Sequence, residues 1–264
     1  MSSDDVPERS PDGTGQHDRP DRTIGTADGA GAAARPGQHE APEYVLPLVV
    51  RIERTAPPAR TDALETAARA VLTLLGDPRA QGDGPWARAV RDWQDGRIRK
   101  VVRRARGAEW RRAEALEGCT VTGASAEVRV HPPVPLDGWP KDLARLQVSG
   151  THLDDPQPPG EADPRLPVLW MNPHIDMSAG KAMAQAGHGA HLAWWGLSDA
   201  ERALWREAGF PLAVRTADPA RWSRLLAEDH PVVHDAGFTE IAPGETVVVE
   251  GRHRVADLPA TTRP

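Results

Sequence analysis

The sequence predicts an α/β protein made of two related units, each with a mostly parallel or mixed sheet. Two observations carry this. Over residues 166–250, apolar runs of strand length alternate with amphipathic segments of helix length, the order that gives a layered α/β fold. Further upstream, Trp93, Val102, Arg103, Ala105, Ala108, Trp110 and Arg112 recur as Trp205, Val214, Arg215, Ala217, Ala220, Trp222 and Arg224, all at one offset of 112. Chance matching of two Ala/Arg-rich segments is the competing reading, and the paired tryptophans argue against it.

The C-terminal elements follow in order. Leu166–Met171 is a continuous apolar run and reads as a buried strand. Pro173 and Gly180 bracket a loop, and Ser178 is the candidate N-cap of a helix reaching Trp195. Ser198-Asp199-Ala200-Glu201 has the capping-box pattern and opens a helix to Ala208. Pro211–Arg215 is a strand. Asp218 with Pro219 at the first helical position opens a helix to Ala227. Val232–His234 and Thr246–Glu250 are short strands, and residues beyond about Arg254 are expected to fray. In the first copy, Leu48–Glu53 aligns with Leu169 onward at an offset of 121, with a longer loop around Gly76–Gly84.

Length and composition set the division. A chain of 264 residues has room for two domains. Residues 1–41 are rich in Gly, Pro, Ser and Ala, hold more acids than arginines and have no aromatic, the composition of a disordered acidic tail. Residues 42–150 form the first copy, 151–165 a Pro-rich linker, and 166–254 the second copy. A single cysteine excludes a disulfide framework, and no apolar run of about 18 residues or hydrophobic leader core is present. A cytoplasmic protein with no membrane segment is expected. The net charge of −6 is unevenly placed, the first copy being basic and the second acidic.

One helix carries a site-like pattern. At about 100° per residue, Lys181, Gln185 and His188 share a narrow arc, while Ala182, Ala186, Gly189 and Ala193 make a face small enough to approach a sheet. Only three lysines stand among the 32 basic residues, and one of them is Lys181. An ammonium suits a developing oxyanion or a phosphate. A merely solvated helix face, and a structural role for His188, are the plainer readings. Asp235 follows the strand-like Val232–His234 and precedes Ala236-Gly237, where Asp-Ala-Gly is also ordinary turn chemistry. No P-loop or G-x-S-x-G elbow occurs, and the His188/His191 and His230/His234 pairs lack a metalloprotease motif.

Met177-Ser178-Ala179-Gly180-Lys181-Ala182-Met183-Ala184-Gln185-Ala186-Gly187-His188 and Asp235-Ala236-Gly237-Phe238-Thr239-Glu240-Ile241-Ala242-Pro243-Gly244 resemble the two signature segments of the type II peptidyl-tRNA hydrolases, M-x-x-G-K-x-x-A-Q-x-x-H and D-A-G-x-T-x-I-x-P-G. The resemblance covers roughly 166–251. It implies a three-layer α/β/α unit with a small, four-stranded mixed sheet, the second copy being catalytic. It also implies hydrolysis of the ester between peptide and tRNA, recycling tRNA from prematurely released peptidyl-tRNA, without metal or organic cofactor. Lys181, Asp235, Thr239 and His188 would be catalytic, with the division of base function between Asp235 and His188 open. Gln185, Gly180 and Gly237 would bind substrate. Phe238, Glu240, Asn172 and His174 depart from the family pattern, the first two in ways that weaken a polyanion site. A non-catalytic adaptor on the same scaffold, or a hydrolase of another ester or amide, are the alternatives.

Aligned at these offsets, Lys181, Gln185, His188, Asp235 and Thr239 face Arg60, Leu64, Ala67, Gly123 and Glu127, so the first copy carries no site. Family members commonly form homodimers, and the tandem is expected to fold as a pseudo-dimer within one chain. The basic stretch Arg97–Arg106, then Arg111-Arg112, reads either as a solvated strand and helix or as a surface following the tRNA backbone through residues such as Arg103 and Arg104.

Overall fold

The computed structural model describes residues 42–237 and 240–258. The expected tail, 1–41, lies outside them. The N-terminal unit runs β1 (Tyr44–Arg51), α1 (Arg60–Gly76), α2 (Ala87–Asp95), β2 (Arg99–Ala105), α3 (Gly107–Glu114), β3 (Cys119–Thr122), β4 (Glu127–Val130), the two-residue β5 (Val134–Pro135) and the short α4 (Lys141–Ala144). The C-terminal unit runs β6 (Val168–Met171), α5 (Ala179–Trp195), α6 (Asp199–Glu207), β7 (Ala213–Thr216), α7 (Pro219–Ala227), β8 (Val232–Asp235) and β9 (Gly244–Glu250).

The two sheets have one topology. The first has the order β2-β1-β4-β3, with β5 added beside β1, and the second β7-β6-β9-β8. In each, the first two strands of the unit pair in parallel and the other pairings are antiparallel. Local details repeat as well. Trp93 Nε1 donates to the Arg99 carbonyl at 2.8 Å, and Trp205 Nε1 to the Pro211 carbonyl at 3.0 Å. Ile98 and Phe210, also 112 residues apart, both take a left-handed backbone, with φ of 46° and 57°. Such a conformation is uncommon for bulky side chains. Its recurrence at one offset makes duplication the physical account of the sequence repeat.

The pleat sends alternate residues to opposite faces. Leu46, Leu48 and Val50 of β1, with Leu169 and Met171 of β6, join one large core that also holds the buried faces of α1 and α5. The outer face of the first sheet packs Val49 and Ala105 against Trp110 of α3 and Leu143 of α4. The outer face of the second packs Val168, Trp170 and Val248 against Trp222 and Leu225 of α7. Each unit is therefore α/β/α, but the units share their inner helical layer. Small residues allow this: a Cβ on Gly187 would lie 3.0 Å from Val71 of α1, and one on Gly189 3.0 Å from Val247 of β9.

Segment 151–165 does more than link. The Thr151 carbonyl accepts from Ala179 N at 3.1 Å and its hydroxyl from Gly180 N at 3.1 Å, at the start of α5. Four residues on, Asp155 Oδ1 accepts from Thr61 N at 2.8 Å and Oδ2 from the Thr61 hydroxyl at 2.7 Å, at the start of α1. A local cap is lacking at Ala59, so Asp155 satisfies an N–H that would otherwise lack a partner. The strap thus caps one helix of each unit. The expected fraying past about Arg254 is corrected as far as Asp257, since Arg252–Asp257 form a 3-10 helix whose Val255 is fully buried; residues 259–264 lie outside the described ones.

Candidate functional site

α5 and β8 bring the two signature segments together. Ser178 caps α5 by accepting from Lys181 N at 3.2 Å, which fixes the first turn and aims the Lys181 side chain toward the end of β8. There Lys181 Nζ lies 2.5 Å from Asp235 Oδ2, and Gln185 Nε2, one turn further along, donates to the same oxygen at 2.6 Å. Gly237 N donates to Asp235 Oδ1 at 2.9 Å. Gly237 has φ of +80°, and its missing Cβ leaves room for Pro243, so glycine is required for this turn. The Lys181 and Asp235 side chains are only 13% and 11% exposed.

Thr246 and Glu240 complete the site. Thr246 of β9 is fully buried, and its hydroxyl lies 2.7 Å from Gln185 Oε1 and 3.3 Å from the Val233 carbonyl. Glu240 accepts from Ser178 N at 3.1 Å and from the Ser178 hydroxyl at 2.8 Å, fastening the loop after β8 to the start of α5. A carboxylate there also suits the positive end of the helix. Thr246 sits in a run of valines with no polar pattern to mark it. Glu240 was visible only as a departure from the family.

Other expected site residues are placed differently. Thr239 and Phe238 lie outside the described residues. Gly180 turns its N–H to Thr151, and a Cβ there would meet the Thr151 hydroxyl at 2.9 Å; its role is packing beneath the strap. His188 lies two turns beyond Lys181, with Nδ1 3.3 Å from Lys100 Nζ of β2, and so belongs to the contact between units. His191 joins it: Nδ1 is 3.3 Å from Lys100 Nζ, and Nε2 is 3.1 Å from Gln94 Oε1 of α2. Since a carboxamide oxygen only accepts, His191 carries its proton on Nε2 and accepts from Lys100 through Nδ1. Lys100 also donates to the Ile98 carbonyl at 3.3 Å and sits 4.8 Å above the Trp93 ring. Burial pushes the Lys100 ammonium well below the usual lysine value. Burial, then the positive charges of Lys100 and Lys181, does the same to His188.

The basic stretch is committed elsewhere. Arg103 donates to the Ala144 and Leu146 carbonyls at 2.9 and 2.6 Å and stacks 4.3 Å over Trp139. Arg104 donates to the Ser149 carbonyl at 2.9 Å and to the Gln147 side chain. Arg99 pairs with Glu43 at 3.1 Å. Through these contacts Arg103 and Arg104 anchor residues 139–150 to β2.

The first copy shows what became of its equivalent site. α1 and α5 are both 17 residues long and begin 119 apart, because the loop leading into α1 is two residues longer than the offset of 121 between the preceding strands allows. Lys181 and Gln185 therefore correspond to Asp62 and Thr66, rather than to Arg60 and Leu64. Space confirms this. A Cβ on Gly123, the counterpart of Asp235, would lie 2.3 Å from Asp62 Oδ1 and 2.4 Å from the Thr66 hydroxyl. Asp62 instead accepts from Ala124 N, Ser125 N, the Ser125 hydroxyl and Ala126 N. Burial opposes its ionisation, but these donors prevail and hold its carboxyl below the usual value. The Lys181–Asp235 arrangement is replaced there by a loop clasp.

A cavity of about 1040 Å³ lies elsewhere, beneath the strap at the carboxyl ends of β6 and β7; its walls include Trp170, Arg221 and Asp155 but neither Lys181 nor Asp235. The candidate site is Lys181–Asp235, where donors and acceptors converge. Among the described residues no group of three or more His, Cys, Asp or Glu could hold a metal ion, and no helix is long and apolar enough to cross a membrane. No protein-family model, curated protein or solved structure matches this chain.

Proposed function

We propose that this protein hydrolyses the ester joining a peptide to tRNA, with the C-terminal unit as the enzyme. The observation that supports this best is the convergence of Lys181, Gln185 and Gly237 on one carboxylate, Asp235. These residues come from the two segments that resemble the type II peptidyl-tRNA hydrolases. Ester hydrolysis requires a placed water, a proton acceptor and positive charge near the tetrahedral oxyanion. A carboxylate has about four acceptor positions. Among the described residues, donors occupy both positions on Oδ2 and one on Oδ1. The second Oδ1 position is the one that orients and deprotonates the water. The Lys181 ammonium, fixed beside it, stabilises the oxyanion as the carbonyl is attacked. His188, held against Lys100, takes no part in the proton transfer.

A second reading, hydrolysis of a different ester or amide, is favoured by the acidic Glu240 beside Ser178 and by the commitment of Arg103 and Arg104 to structural contacts. Neither feature helps to hold a polyanion. The deciding experiment is single-turnover release of peptide from purified peptidyl-tRNA, with a neutral aminoacyl ester as comparator. Release from the tRNA substrate, abolished in Lys181→Ala, supports the proposal. Turnover of the small ester alone selects the second reading, and turnover of neither rejects both.

A further inference from the structure

We propose that Thr246 is a positioning residue for Asp235, acting through Gln185. Its catalytic consequence rests on the hydrolase reading above. Its structural part does not.

The argument is one of hydrogen-bond supply. The Asp235 carboxylate accepts only, so Gln185, 2.6 Å from Oδ2, must present its NH2 there. Its Oε1 then faces Thr246, 2.7 Å away, and requires a donor. Thr246 has one hydroxyl proton and two candidate acceptors, and the Val233 carbonyl is the more distant at 3.3 Å. The proton therefore goes to Gln185. Thr246 is fully buried and Gln185 is 3% exposed, so water does not replace either partner. Without that donor, the carboxamide turned toward Asp235 keeps an unsatisfied buried oxygen, which is unfavourable. Rotation away from Asp235 relieves it. Asp235 would then keep Lys181 and Gly237 but lose the contact that sets its tilt, and carboxylate tilt decides where Oδ1 aims its free lone pair.

The first copy fits this logic. At the same helix offset Gln185 becomes Thr66, and the strand residue opposite, 119 before Thr246, is Glu127, which pairs with Arg51 at 2.7 Å. The whole chain, Thr246 to Gln185 to Asp235, is missing where the site is missing.

The test compares Thr246→Val, which keeps shape and removes the donor, with Thr246→Ser, which restores it. Two readouts are taken on the full chain: single-turnover and steady-state hydrolysis of peptidyl-tRNA, and the side-chain amide NMR signals of Gln185, assigned by their loss in Gln185→Met. Thr246→Val is expected to lower kcat about tenfold or more with KM nearly unchanged, the pattern of a misplaced reacting group. The Gln185 amide protons should exchange faster and lose their distinct shifts, and Thr246→Ser should recover both. Unchanged amide signals in Thr246→Val overturn the proposal. Altered signals with unchanged kcat overturn its catalytic part. If Thr246→Val does not fold, Gln185→Met, which leaves the Thr246 proton the Val233 carbonyl, must show the same loss of kcat, and normal turnover there rejects the idea. A wild type inactive on peptidyl-tRNA sinks the hydrolase reading, while the amide signals still decide whether Thr246 orients Gln185.

Discussion

Asp62 stands in the N-terminal unit where Lys181 stands in the C-terminal one, and its carboxylate fills the space above Gly123 that an Asp235-like side chain would need. Duplicated scaffolds thus carry opposite charges at one position: Asp235 at the end of the third strand meets one, and the loop after that strand meets the other. Asp62→Asn should therefore act on stability and leave hydrolysis alone. With its carboxyl held low by Ser125, Ala124 and Ala126, the contribution is present above the unfolded carboxyl value and lost as pH falls through the lower folded one. Denaturant unfolding should show the variant about 1–3 kcal/mol less stable at pH 7, with the gap closing below about pH 4. A gap that persists at pH 2.5 would contradict the clasp.

Lys181→Ala and Asp235→Asn should each reduce single-turnover hydrolysis by about two orders of magnitude or more, the scale of losing one oxyanion donor or the water-orienting group. Both side chains are nearly enclosed, so each substitution also strands a buried partner and lowers the melting temperature. The double variant should be less destabilised than the sum of the singles, because it removes the pair together. Strict additivity would mean the ion pair contributes nothing to the fold.

The Lys100 cluster makes stability rise with pH. Burial holds Lys100 below its usual value; burial, then the charge of Lys100, does the same to His188 and His191, with Lys181 adding to the first and Arg202 to the second. The unfolded chain therefore binds protons that the folded one does not. Stability should fall as pH drops through about 6.5, the unfolded histidine value, and should keep rising toward about pH 10 as the unfolded lysine loses its proton. Lys100→Met, which keeps the hydrophobic stem and removes the amine, should stabilise the protein at pH 7 and flatten the alkaline part of the curve. Urea midpoints at pH 5, 7 and 9 read this directly, and a wild type most stable at pH 5 would refute it.

Arg103→Met should shift the melting temperature downward, since two carbonyls and the Trp139 face lose their partner. Exposed Arg111→Gln should not. If neutralising Arg103 left the melt unchanged but reduced the salt dependence of tRNA binding, the surface reading of the basic stretch would return.

Much of this was written locally. The capping box at Ser198–Glu201, the Asp218-Pro219 start of α7 and the apolar β6 depend on neighbours within a few positions, and the structure has all three. The duplication was legible through Trp93 and Trp205, whose indoles fix the same turn twice. What escaped depends on distance in sequence. Lys100 meets His188 across 88 residues, and Asp155 caps α1 across 94; neither has a local signature. A two-residue difference in one loop was enough to misalign the helices and hide Asp62 behind Arg60. Arg103 and Arg104 looked free because three of their four acceptors are backbone carbonyls, which no side-chain pattern records.

The strap from Thr151 to Asp155 has a consequence for inheritance as well as for stability. After a duplication, two copies can ordinarily be lost, swapped or separated one at a time. Here the stretch between them supplies the first-turn acceptors of both inner helices. Once the copies are separated, only the half that keeps the strap keeps these caps. A connector with no regular secondary structure has become the part that belongs to both copies, and it turns a repeat into a single heritable unit.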